Sequence, residues 1–206
     1  MPDDPSSSSR SPSADVTVEV VVADDRWHAV TDGHVVALVE RAARAAVAAG
    51  TPGVGSGAGP GAGDGLALVG ELSVQLADDD RSHRLNRDWR KRDRPTNVLS
   101  FPAIEPDHLA AACRRAAAGG PPVLLGDVMV AFQTTAREAD EMARPLADHL
   151  THLVVHGVLH LLGWDHIDND QAAAMEALEV RILAGLGVAD PYRPPDARGQ
   201  QPEPAR

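Results

Sequence analysis

The chain has 206 residues, enough for one domain with a hydrophobic core, and hydrophobic residues make up 43% of it, which excludes a wholly disordered protein. Its single cysteine, Cys113, excludes an internal disulfide and a zinc site built from several cysteines. The net charge of −11 argues against a generally basic nucleic-acid-binding protein, and the lack of a long apolar run or a signal peptide predicts a cytoplasmic location.

The first half of the chain is predicted to alternate between strands and helices, because its hydrophobic pattern changes period. Residues 1–15 are acidic and Ser/Pro-rich and are expected to form a disordered tail. Strands are predicted at 16–22 and 71–78. Between them we expect an amphipathic helix at 34–49 and a flexible Gly-rich loop at 50–65, which has no lysine and is therefore not a phosphate-binding loop.

A basic segment, RSHRLNRDWRKRDR (Arg81–Arg94), follows the second strand and is predicted to be helical, with Asp79 or Asp80 near its N-cap. Seven basic residues against two aspartates give it a local charge of +5, so it is a candidate polyanion-binding surface in an acidic protein. The alternative is a solvated helix face. Trp89 is expected to pack in the core, and stacking on an unpaired base is the alternative.

The second half is predicted to add two strands and then to become helical. The expected elements are strands at 97–102 and 123–132, a surface insertion at 105–122, a helix from Thr134 to Ala143, a helix opened by Pro145, a helix at 169–187, and a disordered tail at 193–206. Thr134 or Thr135 is the predicted N-cap, with Glu138 completing a capping box. This order predicts an α+β fold: one domain over 16–192, with a mixed sheet of about four strands and helices packed on one side.

The stretch HGVLHLLGWDH places three histidines at the ligand spacing of metzincin zinc proteases, H-E-x-x-H-x-x-G-x-x-H. His156 and His160 are one helical turn apart, and the glycine at 163 lets the chain turn so that His166 follows from a loop. Three neutral imidazoles leave a fourth position open on zinc, which is typical of a catalytic site at the end of a long helix. Position 157, however, is glycine where a protease has its glutamate base.

Neighbouring residues leave the third ligand and the supporting groups open. His152 lies one turn before His156 and is the alternative to His166 as third ligand, although a supporting role is favoured. Asp165 is a candidate for orienting a ligand imidazole or acting as a general base, with capping of the next turn as the alternative. Trp164 is expected to pack beneath the site.

At this point the motifs resemble a known family. HGVLHLLGWDH is similar to the signature of the YbeY endoribonucleases, the bacterial rRNA maturation factors, and the resemblance extends over roughly residues 66–192. Its other parts are the segment from ELSVQLAD to PTNVLSFP, the LGD strand at Leu125–Asp127, and the closing MEALEVRILAGLG helix with DPY. Two residues depart from the pattern: Trp89 replaces the usual tyrosine, and Lys91 replaces a glycine, which carries strain if that glycine needs a positive φ.

The resemblance implies a single-strand-specific, metal-dependent endoribonuclease that acts in 16S rRNA 3′-end maturation and ribosome quality control. It implies His156, His160 and His166 as ligands of one Zn²⁺, and Arg90 as the functional arginine. The basic residues expected to guide the RNA strand are Arg84, Arg87, Lys91, Arg92 and Arg94. The expected partners are the 16S rRNA precursor, ribosomal protein S11 and the GTPase Era.

Residue chemistry points the same way, because an arginine fork matches phosphate oxygens and stays charged at every working pH. A metzincin-type protease needs the missing glutamate, whereas a nuclease can dispense with it. The main alternative is a non-catalytic metal-binding assembly factor that binds pre-rRNA and ribosomal protein. A metalloprotease with an unusual base is a weaker alternative.

Overall fold

The computed structural model describes residues 15–51 and 68–193. The strands are β1 (Asp15–Val22), β2 (Val69–Ala77), β3 (Val98–Pro102) and β4 (Val123–Ala131). The helices are α1 (Val35–Gly50), α2 (Asp79–Arg90), α3 (Pro106–Ala117), α4 (Phe132–Glu141), α5 (Leu146–Leu161) and α6 (Asn169–Gly185), with a short 3₁₀ helix at Asp25–Thr31. Nearly all of the predicted disordered tails and of the predicted Gly-rich loop lies outside the described residues, while Asp15, the last residue of the first predicted tail, begins β1.

The four strands form one mixed sheet in the order β1-β2-β4-β3. β1 and β4 pair parallel to β2, and β3 pairs antiparallel to β4, so β3 is an edge strand. The predicted α+β fold with a mixed four-stranded sheet is therefore confirmed. No helix in the described parts of the chain is long and apolar enough to cross a membrane.

The main core lies between one face of the sheet and helix α5, which also packs against α1 and α6. Ten of the 16 residues of α5 are buried, including Val154, Val158 and Leu159. A helix that is apolar on most of its circumference must be covered on most sides, which explains its central position. The histidines of α5 therefore sit on one of the most enclosed elements of the fold.

Segment 105–122, which we expected to be a surface insertion, contains the helix α3, which was not predicted. Leu109, Cys113 and Ala116 recur at helical spacing on α3, and all three are buried in the main core. The Ala-rich composition hid this apolar stripe from the sequence analysis. The helix is thus part of the domain core.

Helix α2 corrects the prediction that the helices lie on one side of the sheet. Its Leu85 packs with Phe101 against a second, smaller cluster formed by Ala77, Leu99, Met129 and Ala131 on the opposite face. Because side chains alternate along a strand, Met129 and Ala131 face away from Val128 and Val130 of the main core. The basic helix therefore lies across the face that the other helices leave open.

The predicted N-cap of α4 is wrong, because the helix begins at Phe132, directly after β4. The Thr134 N–H and hydroxyl instead donate to the Asp79 carboxylate, at 3.0 and 2.8 Å. In return, Gln133 Oε1 accepts the Asp79 N–H at 2.9 Å. Each helix thus satisfies a free N–H group at the start of the other, and this exchange fixes α2 against the sheet.

Candidate metal centre and active site

The three predicted histidine ligands converge in the structure. His156 and His160 share one face of α5, Gly163 turns the chain with a φ of +84°, and His166 returns from the following loop. Their ligand nitrogens all lie within 4.8 Å of one another, and the ring centroids are 4.6 to 5.7 Å apart. Three imidazoles at this spacing form a donor set that fits a single zinc ion.

The structure explains why residue 157 is a glycine rather than a glutamate. A Cβ atom at this position would lie 2.7 Å from Val128 Cγ1 and 3.2 Å from Ser100 Oγ. The Ser100 hydroxyl donates to the Gly157 carbonyl at 3.0 Å, which holds α5 against the edge of the sheet. Residue 157 therefore faces the sheet, and a side chain there would force Val128 or the helix to shift.

Glu179 on α6 is a component of the site that the sequence analysis missed. It is fully buried and accepts from His156 Nδ1 and His152 Nε2, both at 2.8 Å, and from the Tyr192 hydroxyl. Burial raises the pKa of this carboxyl, but the hydrogen bonds from His152, His156 and Tyr192 outweigh it and hold the pKa at about 2. The carboxylate fixes the His156 ring so that Nε2 faces His160 at 3.1 Å.

A signal for Glu179 was present in the sequence. The buried residues of α6 are Met175, Leu178, Glu179, Ile182 and Leu183, which form one apolar stripe at helical spacing. A carboxylate inside such a stripe must be paired with a donor. Burial raises the pKa of Tyr192 well above its usual range, and the hydrogen bond to the Glu179 carboxylate raises it further.

His152 is joined to Glu179 and lines neither of the cavities described below, whereas His166 lines the same cavity as His156 and His160. His152, His156 and Glu179 also form a second group whose ligand atoms lie within 4.8 Å of one another. The geometry favours His166 as the third ligand and gives His152 a supporting place on Glu179.

The protonation state of His160 suits ligation. Burial and the neighbouring His156 and His166 lower its pKa to about 4. The imidazole is therefore neutral at physiological pH and can offer a lone pair. The donor set and its orientation by Glu179 thus fit the zinc ion that the motif implies.

Asp165 and Trp164 shape the loop that carries His166. Asp165 Oδ1 accepts the His166 N–H at 2.8 Å, and Asp165 also lines the site cavity. The next helix is capped by Asp168 and not by Asp165. Trp164 Nε1 donates to the Gly50 carbonyl at 2.8 Å and its ring packs against the main core. The hydrogen bond and the packed ring anchor the loop to the end of α1, which agrees with the prediction that Trp164 packs beneath the site.

Arg90, the last residue of α2, meets the histidines at one cavity of about 420 Å³. Its Nη2 donates to the Ser100 carbonyl at 3.3 Å, which holds the guanidinium at the free edge of β3. The next residue, Lys91, has a φ of +57°, so a lysine occupies the left-handed conformation that glycine favours. The backbone of Asn86 accepts the Lys91 N–H in this cap.

The other predicted RNA-binding residues are exposed, but they line neither this cavity nor the groove next to it. They are Arg84, Arg87, Lys91, Arg92 and Arg94. Arg81, which was not predicted, does line the neighbouring groove on the open face of the sheet. The expectation that Trp89 packs in the core is wrong, because its side chain is 71% exposed on that groove.

The regions that match known proteins include the histidine motif and the basic helix. Residues 62–187 match the family model described as "Endoribonuclease YbeY". A protein of that name from Rhodospirillum rubrum is 47% identical over 188 residues, which cover 91% of this chain and 86% of that one. Another, from Paramagnetospirillum magneticum, is 55% identical over 60% of this chain and 72% of that one.

A solution structure from Thermotoga maritima aligns with 86% of this chain at a TM-score of 0.46 and 19% identity, a likeness too weak to support an argument. The family model and the curated relatives cover both the histidine motif and the basic helix. The chain therefore belongs to the YbeY family of endoribonucleases, hydrolases that cleave RNA.

Proposed function

We propose that this chain is a zinc-dependent endoribonuclease, specific for single-stranded RNA, that acts in 16S rRNA 3′-end maturation and ribosome quality control. The observation that carries the proposal is the meeting of three imidazoles and Arg90 at one cavity. A neutral nitrogen donor set suits zinc, and a guanidinium suits the phosphate of RNA. Few other reactions need both groups at the same place.

The roles follow from the chemistry of each side chain. His156, His160 and His166 would hold the ion, which would supply Lewis-acid chemistry at the cavity by lowering the pKa of water to about 7. Arg90 binds the scissile phosphate and neutralises the charge that develops on its oxygens. The contact between Arg90 and the Ser100 carbonyl orients the guanidinium toward the cavity.

Asp165 is the proposed proton acceptor. Its Oδ1 is occupied by the His166 N–H. Among the described residues no hydrogen-bond donor contacts Oδ2, so this oxygen can accept a proton inside the cavity. This position also suits general-base chemistry at the site, since a base must lie within hydrogen-bond reach of the proton that it removes.

The exposed basic residues of α2 and the following loop are proposed to guide the RNA strand toward Arg90. Arg84, Arg87, Lys91, Arg92 and Arg94 do this through long-range attraction, which weakens as salt concentration rises. The family resemblance supports the 16S rRNA precursor as substrate and ribosomal protein S11 and the GTPase Era as partners. An enzyme with this task works in the cytoplasm, where ribosomes assemble.

The test combines metal content with cleavage of a single-stranded rRNA fragment by RNase-free protein. We expect about one zinc per chain in the wild type, and loss of both zinc and cleavage in His166→Ala. Arg90→Ala should retain zinc and the fold while losing cleavage. Zinc retained in His166→Ala but lost in His152→Ala would make His152 the third ligand, and a zinc-loaded wild type that binds RNA without cutting it would identify an assembly factor.

A further inference from the structure

The open face of the sheet carries a groove of about 720 Å³ that the proposed catalytic roles do not use. Its volume is within the range of about 300–1,000 Å³ typical of small-ligand pockets, and a nucleotide falls in this size class. The groove lies between α2 and the strands, on the face opposite to α5. On this second cluster the partly buried apolar side chains are Leu85 of α2 and Phe101 of β3.

The groove adjoins the metal cavity across the edge strand β3. Arg90, Ser100 and Pro102 line both. Ser100 and Pro102 belong to the edge strand β3, and the Arg90 side chain contacts β3 at the Ser100 carbonyl. An RNA strand whose phosphate is bound by Arg90 can therefore pass around the free edge of the β-sheet and enter the groove.

An aromatic pair stands at this entrance. Trp89 is 71% exposed, although burial of an indole is strongly favourable, and its ring meets that of Phe101 edge-on at a centroid distance of 6.1 Å. The two rings are thus in edge-to-face contact, and most of the indole surface stays open to solvent. Aromatic side chains on an open sheet are how several RNA-binding domains stack unpaired bases.

The charges across the groove decide how a nucleotide would lie in it. Arg81 and Arg90 line the α2 side. Phe101, Asp127 and Ser73 follow one another across β3, β4 and β2, and Ser73 donates to Asp127 at 2.5 Å. A carboxylate repels phosphate but accepts hydrogen bonds from base amines, so the backbone follows α2 and the base lies over the sheet.

From this geometry, and resting on the proposed function, we infer that the groove is a nucleotide subsite in which Trp89 stacks on an unpaired base next to the scissile phosphate. Trp89 is then a specificity-determining residue. A base in a duplex has its faces covered by its neighbours and its edge paired, so it cannot enter the groove without being unpaired and splayed out. The stacking contact selects single-stranded RNA, and the arginines alone do not.

The test measures binding of a fluorescently labelled RNA oligonucleotide without self-complementarity, free and annealed to its complement, in the presence of a chelator so that no cleavage occurs. Trp89→Ala should weaken binding of the single strand about tenfold, as loss of one base–aromatic stack does, and leave duplex binding unchanged. Trp89→Phe should stay within about threefold of the wild type, because it keeps an aromatic face. Met142→Ala, which removes another exposed apolar side chain that lines neither cavity, should change neither affinity.

Equal single-strand affinities for Trp89→Ala and Met142→Ala would overturn the inference, and with cleavage intact they would leave the proposed function standing. Equal weakening of single-strand and duplex binding would overturn the claim of selectivity. A wild-type protein that neither binds nor cuts the single strand would overturn the proposed function and the inference together.

Discussion

Substitution of Glu179 by glutamine should weaken zinc binding without removing any ligand. Glutamine keeps the size of the side chain but replaces one carboxylate oxygen by an NH₂ group, which cannot accept. The wild-type oxygens contact His152 Nε2 and His156 Nδ1 separately, so the single oxygen of the amide can accept a hydrogen bond from only one of these two rings. The loss of a ligand's hydrogen-bonded support typically lowers metal affinity about 10- to 100-fold, or roughly 1.4–2.7 kcal/mol.

The same change should also destabilise the metal-free protein. Glu179 is fully buried, and an unsatisfied donor left in its place costs about 1–3 kcal/mol. The free energy of unfolding without metal and the zinc affinity are measured separately, the first by urea titration and the second by competition with a chromophoric chelator. Zinc affinity is then compared under conditions in which both proteins are folded.

Glu176→Gln is the matched control, because Glu176 lies on the same helix but is exposed. It makes the same chemical change without a histidine partner among the described residues and should leave zinc affinity unchanged. If Glu179→Gln bound zinc as tightly as Glu176→Gln, the carboxylate would not orient His156 in the way inferred from the structure.

Three further predictions concern stability and pH. Gly157→Ala should lower the free energy of unfolding by about 1–3 kcal/mol, because the added Cβ meets Val128. Gly185→Ala is the control and should not lower it, since a Cβ there has no heavy atom within 4 Å. Equal effects of the two substitutions in urea titrations would contradict the packing argument. Lys91→Gly should raise the melting temperature, because the left-handed backbone conformation costs a non-glycine residue about 1–2 kcal/mol and costs glycine almost nothing. Arg92→Gly is the control and should lower the melting temperature, because Arg92 does not have a positive φ. Burial raises the pKa of Glu138, but hydrogen bonds from His149 and Asn97 bring it below the ordinary value of 4.5, so its contribution to stability is complete above that pH and is lost as pH falls through the folded pKa. Glu138→Gln should therefore flatten the acid side of the stability curve, and an unchanged curve would refute this.

The elements were predictable where the hydrophobic period was regular, and the convergence of the three histidines was predictable because they come from one short stretch. His156, His160 and His166 lie within one helix and the loop after it, so their convergence needs only helical spacing and a turn. Glu179 comes from another helix, and its contact with His156 depends on how α6 packs against α5. A sequence does not state such a contact directly.

The wrong predictions for α4 and Trp89 also arise from tertiary contacts that the sequence does not state. The start of α4 was misplaced because Asp79, more than 50 residues away, supplies the cap that Thr134 was expected to provide. Trp89 was expected in the core because indoles are usually buried, but the face of the sheet on which it lies is left open. The positive φ of Lys91, by contrast, follows the expectation drawn from a glycine in the family pattern.

The contact between Gly157 and the sheet limits how the proposed metal centre can evolve. A protease of the metzincin type carries its base at the position that Gly157 holds, and a single codon change would introduce that glutamate. Here that route is closed, since any side chain at 157 would collide with Val128 before it reached the substrate. Descendants of this fold could acquire such a base only after α5 had moved away from the strands, or from a residue on a different segment.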